Sequence, residues 1–273
     1  MQLIDTHTHL NDARYKGREG DIINNLSRDG VECVVNIGYD RKSSEISLKL
    51  AQKYANVYCA LAVHPHSAKE FTEGDYVFFK EATKDLKVVA IGEAGLDYFR
   101  DLSPRDIQQE VFIRHIHLAE ETGLPLVVHI RDAYEDVYRI LSENASRLAA
   151  GCLLHCYSGS AEMAKRFLAI KTQTGGFLNV HFAFGGTLTY KNNRTAPEVL
   201  RILPRDKILL ETDCPYLTPE PHRGELNVPA YVSEVVRAAA EILGLTQEET
   251  VRLTTENAKR FFFKISLANS PLR

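Results

Sequence analysis

The chain has 273 residues, 44% of them hydrophobic, with 33 basic against 36 acidic side chains and a formal net charge of −3. That length suits one large domain or two small ones, and an α/β barrel typically takes about 250 residues. The charge excludes a polybasic tail or a broad basic face that tracks long duplexes. A nucleic acid partner would have to be met by a local patch and by bound cations. No secretory apolar region opens the sequence, and no stretch reaches the roughly 18 apolar residues of a membrane span, so the expected setting is cytoplasmic, with no membrane partner. The five cysteines, Cys33, Cys59, Cys152, Cys156 and Cys214, lie in or beside apolar runs and read as buried reduced thiols.

Strand-like and helix-like segments alternate along the chain. Short runs rich in Ile, Leu and Val predict strands near 2–6, 33–38, 57–63, 88–92, 125–130, 151–156, 177–184 and 207–212. Helical periodicity predicts helices over 43–55, 104–122, 132–142, 229–243 and 246–263, with weaker signals at 75–86 and 195–203. Ser103-Pro104 and Asp132 read as helix starts, and Thr246 with Glu249 as a capping box. Eight strands separated by helices predict an α/β fold, a single (β/α)8 TIM-type barrel over residues 1–273, with 264–273 as a tail frayed from Ala268.

Five of these runs put a metal-type ligand at their C-terminal end: Ile4-Asp5-Thr6-His7-Thr8-His9, Ile91-Gly92-Glu93, Val127-Val128-His129, Leu153-Leu154-His155 and Leu210-Glu211-Thr212-Asp213. In parallel barrels catalytic groups sit at that end of the strands. His7 and His9 are two apart and project to one face of a strand. The alternative, two hydrogen-bonded core histidines, requires partners for costly buried polar atoms. Glu93 follows Gly92, which allows close backbone approach, and a carboxylate can bridge two cations. His7, His9, His129, His155, Glu93 and Asp213 together suffice for a centre of two divalent ions, drawn from Zn, Mn, Mg or Ni, that share Glu93.

Other histidines read differently. His115 and His117, two apart on a helix, cannot chelate together and read as surface residues. His181 on the seventh strand could face inward. His64, in Val63-His64-Pro65, falls on the same rim as the ligands and reads as a substrate contact or as a residue that supports the ligands from behind.

Asp5-Thr6-His7-Thr8-His9-Leu10, Val63-His64-Pro65, Ile91-Gly92-Glu93-Ala94-Gly95-Leu96-Asp97-Tyr98, Val128-His129-Ile130-Arg131-Asp132, His155-Cys156-Tyr157-Ser158-Gly159 and Glu211-Thr212-Asp213-Cys214-Pro215-Tyr216 follow one another in order. This set resembles the TatD family of metal-dependent deoxyribonucleases and hydrolases, which are amidohydrolase-like barrels, over residues 1–262. The resemblance implies that His7, His9 and Asp213 hold one metal, that His129 and His155 hold the second, and that Glu93 bridges. It also implies metal-dependent DNA hydrolysis, mostly by exonuclease action. One loop departs from the family pattern: Leu226-Asn227-Val228-Pro229 stands where an Arg-Asn-Glu-Pro run is common.

The expected reaction is phosphodiester hydrolysis by two-metal activation of water, on single-stranded or end-accessible DNA, with Glu93 and Asp213 as the catalytic groups. Arg131, two residues past His129, is assigned to phosphate, which a guanidinium grips in a bidentate fork; a salt bridge to Asp132 or Glu135 is the alternative. Arg223 and Lys191 are weaker phosphate candidates. Tyr98, Phe99, Tyr157 and Tyr216 could stack bases or pack the rim. The rival reading is ester or amide hydrolysis on the same site, such as deacylation of a D-aminoacyl-tRNA. No obligate protein partner is visible, and a monomer is expected.

Overall fold

Leu3–Thr8 (β1) is buried at every residue and pairs in parallel with Val31–Gly38 (β2), beginning an eight-stranded sheet in sequential order. It continues through Val57–Leu61 (β3), Val88–Asp97 (β4), Leu126–Arg131 (β5), Cys152–Leu154 (β6), Val180–Phe184 (β7) and Ile208–Leu210 (β8), every pair parallel. The computed structural model describes residues 3–268. Strands buried on both faces need apolar residues throughout, which is why they read as continuous runs and not as alternations. Alternate side chains serve two cores. Ile4, Val35, Tyr58, Ala90, Val127, Leu153 and Leu209 fill the barrel interior, and Val34, Leu61, Val128, Leu154 and Phe182 face the helices.

The outer layer is Glu19–Asn25 (α1), Arg41–Lys53 (α2), Glu73–Ala82 (α3), Arg105–Thr122 (α4), Tyr134–Glu143 (α5), Ala161–Leu168 (α6), Thr195–Ile202 (α7), Val232–Leu243 (α8) and Gln247–Phe261 (α9). The Thr246–Glu249 capping box forms as expected. The other two helix starts do not. Ser103 accepts the Lys69 N–H and donates to the His66 carbonyl, and Pro104 takes the cap position. Asp132 adopts a φ of 53°, and the following Ala133 caps α5 without a side-chain bond. The expected tail is also partly ordered: Phe263–Ala268 (α10) brings Ile265 into the interior beside Phe261 and Phe262. Residues 269–273 of that tail lie outside the described residues.

A buried acid helps to join β1 to the segment after β8. Asp5 Oδ1 accepts the Thr212 N–H at 2.9 Å, and Asp5 Oδ2 accepts the Thr212 hydroxyl at 2.6 Å. Asp213 N–H then donates to the His7 carbonyl at 3.0 Å, and His9 N–H to the Cys214 carbonyl at 2.7 Å. Burial raises the Asp5 carboxyl to about 8 despite these donors. The seam therefore fixes the two segments that carry His7, His9 and Asp213. Among the described residues no helix is long and apolar enough to cross a membrane.

Candidate metal centre

Two bulges aim the ligands. On β4, Ile91 pairs with Leu126 and Ala94 with Val128, so three steps on β4 match two on β5 and the extra residue falls at Gly92-Glu93. A bulge re-aims side chains in this way beside functional sites. Gly92 and Gly95 permit it. A Cβ on Gly92 would lie 2.6 Å from Val127 Cβ, and one on Gly95 would lie 2.1 Å from the His129 carbonyl oxygen. On β1, Asp5 pairs with Val34 and Thr8 with Asn36, which breaks strict alternation across Thr6-His7. Glu93 and His7 lie within their strands, and His9, His155 and Asp213 lie just beyond theirs.

The six expected ligands converge. His7 Nε2 and His9 Nε2 are 3.2 Å apart, with Asp213 Oδ1 at 3.8 Å and 3.4 Å from them. Glu93 Oε2 is 3.4 Å from His7 Nε2. Glu93 Oε1 is 2.7 Å from His129 Nδ1 and 3.0 Å from His155 Nε2. Three overlapping sets could each hold an ion: His7 with His9 and Asp213, His7 with Glu93 and His155, and His64 with Glu93 and His129. Grouping by proximity thus divides the second expected pair, placing His155 with His7 and His129 with His64, while Glu93 belongs to two of the sets.

The donor set fits divalent cations. His7 Nδ1 and His9 Nδ1 are buried without a hydrogen-bond partner, and their Nε2 atoms face one another and Asp213. Two imidazoles and a carboxylate turned together in this way suit a cation between them. Burial pushes Glu93 up, but positive charge on His155 and hydrogen bonds from His129 and His155 hold it well below the usual carboxylate range. Burial opposes charge on His155, yet Glu93 and Glu211 outweigh it and raise the ring well above its ordinary value. Burial and the neighbouring His155 lower His7, and burial together with His129 lowers His64 further.

The rim residues divide. His64 lies 3.7 Å from Glu93 Oε1 through Nε2, and its Nδ1 accepts the His66 N–H at 3.1 Å. A neutral ring that accepts at Nδ1 carries its proton on Nε2, which suits His64 to donation and takes it out of the third set as a ligand. Arg131 is exposed, with its guanidinium 3.9 Å over Phe99, and none of the described ion pairs includes it. The alternative partner Glu135 instead binds Arg166. Arg223 lies 4.1 Å over Tyr190, also outside the described ion pairs. Phe99 and Tyr216 are exposed at the rim, whereas Tyr157 is buried and Tyr98 donates its hydroxyl to Asp136. Lys191 is exposed.

Some expectations fail. His115 is not on the surface. It lies one turn past Val111 on the buried face of α4, is 1% exposed, donates Nδ1–H to the Val111 carbonyl and accepts the Val63 N–H at Nε2. His117 is half-buried. His181, by contrast, does face the interior as expected, packed on Phe261 and outside the ligand sets. Four of the five thiols are buried, but Cys156 is only half-buried. Burial raises the Cys214 thiol, which argues against a nucleophile.

Four buried groups escaped sequence reasoning. Asp5 clasps the seam. Glu211 Oε1 is 3.1 Å from His155 Nδ1. Asp97 Oδ2 is 3.3 Å from His129 Nε2. Asn227 donates to the carbonyls of Thr212 and Tyr216, so the departing loop still pins the segment that carries Asp213. An acid inside the apolar run before Asp213 was the available signal for Glu211, because unpaired acids are rarely fully buried.

The family model described as TatD related DNase matches residues 4–263. An uncharacterized metal-dependent hydrolase, YabD of Bacillus subtilis, is 43% identical over 260 residues, covering 95% of this chain and 98% of its own length. An uncharacterized metal-dependent hydrolase, TatD of Mycobacterium tuberculosis, is 33% identical over 267 residues, covering 95% and 97%. Among solved structures, the TatD homologue YJJV of Escherichia coli K12 superposes with a TM-score of 0.87 at 26% identity, covering 96% of this chain and 98% of that one.

Proposed function

This chain belongs to the TatD-related DNase family of metal-dependent hydrolases, and we propose that it hydrolyses DNA phosphodiesters, as an exonuclease on single-stranded or end-accessible strands. The observation that carries this reading is the convergence of His7, His129 and His155 on Glu93 at the mouth of the barrel, with His9 and Asp213 gathered beside His7. Divalent ions bound there supply Lewis acidity toward phosphoryl oxygens and lower the pKa of water. Glu93, stabilised as an anion, is the group able to join two ions. Asp213 takes the proton from the attacking water. His64 donates from Nε2 to a phosphoryl oxygen. Arg131 and Arg223, each with its guanidinium over an aromatic ring and outside the described ion pairs, present cations to flanking phosphates. Arg14 does not serve in this way, because Asp12 neutralises it at 2.9 Å. Exposed Phe99 and Tyr216, each with a guanidinium over one face (Arg131 and Arg14), offer the other face to unstacked bases.

The test is a side-by-side assay on single-stranded DNA, blunt duplex DNA and a panel of aminoacyl esters, with Asp213→Asn as control. Release of mononucleotides from DNA by the wild type, and none by the variant, supports the reading. Turnover confined to the carbonyl esters refutes it in favour of carbonyl hydrolysis, including deacylation of D-aminoacyl-tRNA.

A further inference from the structure

His129 and His155 approach the same Glu93 oxygen through different ring atoms, Nδ1 and Nε2. The opposite nitrogen of each ring meets a carboxylate outside the expected ligand set: Asp97 Oδ2 for His129 and Glu211 Oε1 for His155. An imidazole that binds a cation through one nitrogen keeps its proton on the other, and the partner of that proton orients the ring.

The two carboxylates are wired differently. Asp97 divides its oxygens. Oδ1 accepts the Phe99 N–H at 3.1 Å and the Arg100 N–H at 2.8 Å, while Oδ2 faces His66 Nε2 at 2.7 Å and His129 Nε2 at 3.3 Å. Gln108 fixes this turn by accepting the Asp97 N–H and donating to the Ser103 carbonyl. Glu211 uses one oxygen twice. Its Oε1 accepts the Cys156 N–H at 2.7 Å and faces His155 Nδ1, and its Oε2 is buried without a partner.

We propose that Asp97 is a positioning residue whose second oxygen holds the His129 proton on Nε2, leaving Nδ1 to face a divalent ion beside Glu93. The proposal rests on the metal-centre reading but not on the identity of the substrate. Two amide substitutions of nearly unchanged shape should then diverge. In Asp97→Asn the two backbone N–H groups keep the carbonyl oxygen in the Oδ1 place, so the amide nitrogen takes the Oδ2 place. It donates to His129 Nε2, and the ring proton moves to Nδ1, where it blocks the ion. In Glu211→Gln the Cys156 N–H keeps the carbonyl oxygen in the Oε1 place. That oxygen still accepts from His155 Nδ1, and the ring keeps its orientation.

The test titrates metal-stripped wild type, Asp97→Asn and Glu211→Gln with zinc in competition with a chromogenic chelator. Asp97→Asn should bind zinc about 10- to 100-fold more weakly, with Glu211→Gln within about 3-fold of the wild type. Nitrogen-15 spectra of the zinc-loaded wild type should place zinc on Nδ1 of His129 and Nε2 of His155. Equal weakening in both variants, unchanged affinity in Asp97→Asn, or zinc on Nε2 of His129 would overturn the proposal. If Asp97→Asn fails to fold, the wild-type spectra decide alone. Because no readout uses DNA, a negative DNase assay leaves these outcomes intact.

Discussion

His115 offers a quantitative check on how the barrel holds the His64 strand end. Its Nε2 accepts the Val63 N–H at 3.1 Å and its Nδ1–H donates to the Val111 carbonyl at 2.7 Å, so only the neutral ring satisfies both contacts. Burial lowers the ring from 6.5 to about 4. A base with a lowered folded pKa binds fewer protons folded than unfolded between those values. Stability is therefore lost as pH falls from 6.5 toward 4, and this group removes nothing further below that. The shift corresponds to about 3 kcal/mol in full and about 2 kcal/mol by pH 5, at roughly 1.4 kcal/mol per pH unit. His115→Gln should lower stability at neutral pH through lost packing but flatten the acid slope by that amount. The assay is urea denaturation of metal-stripped protein from pH 7.5 to 4.5. The difference between the two proteins cancels the histidines they share. Identical pH slopes would refute the assignment of His115 as a buried neutral acceptor.

Other perturbations probe the site from different sides. Gly95→Ala puts a Cβ 2.1 Å from the His129 carbonyl oxygen at a φ of 149°, so a loss of at least about 2 kcal/mol in urea denaturation should accompany reduced metal content. Wild-type stability in that variant would contradict the close packing of β4 on β5. Arg131→Ala and Arg223→Ala should each raise the KM for a short single-stranded oligonucleotide with less effect on a nitrophenyl phosphodiester. Lysine at either position should rescue only in part, because it lacks the planar fork. Unchanged constants in all of these variants would assign both arginines to rim packing.

The ligands were legible because each interrupts or ends an apolar run, where a polar group has no bland explanation. Eight such runs alternating with helices also gave the barrel. Local pattern could not show the two bulges, since each depends on how a neighbouring strand pairs across Gly92-Glu93 or Thr6-His7. Nor could it show Asp5 bound to Thr212 or Glu211 bound to His155, partners distant in sequence. His115 was misread because a histidine pair two apart suggested chelation and then exposure. Its fate follows from α4's buried stripe through Val111, Phe112, His115, Ile116 and Ala119. Helices α1 and α6, seven and eight residues long, are shorter than the window over which a helical period can be read in sequence.

The claim that this metal centre performs the hydrolysis is tested most directly by adding metal back to stripped protein. Wild type and Glu93→Gln would be titrated with manganese or zinc while cleavage of a single-stranded oligonucleotide and bound metal are followed together. In the wild type, cleavage should rise with metal and level off at about two ions per chain, as a carboxylate-bridged pair requires. Glu93→Gln should remain folded yet lose on the order of 100-fold in turnover at saturating metal. Cleavage by the stripped protein, or wild-type turnover by Glu93→Gln, would place the chemistry elsewhere and contradict the account.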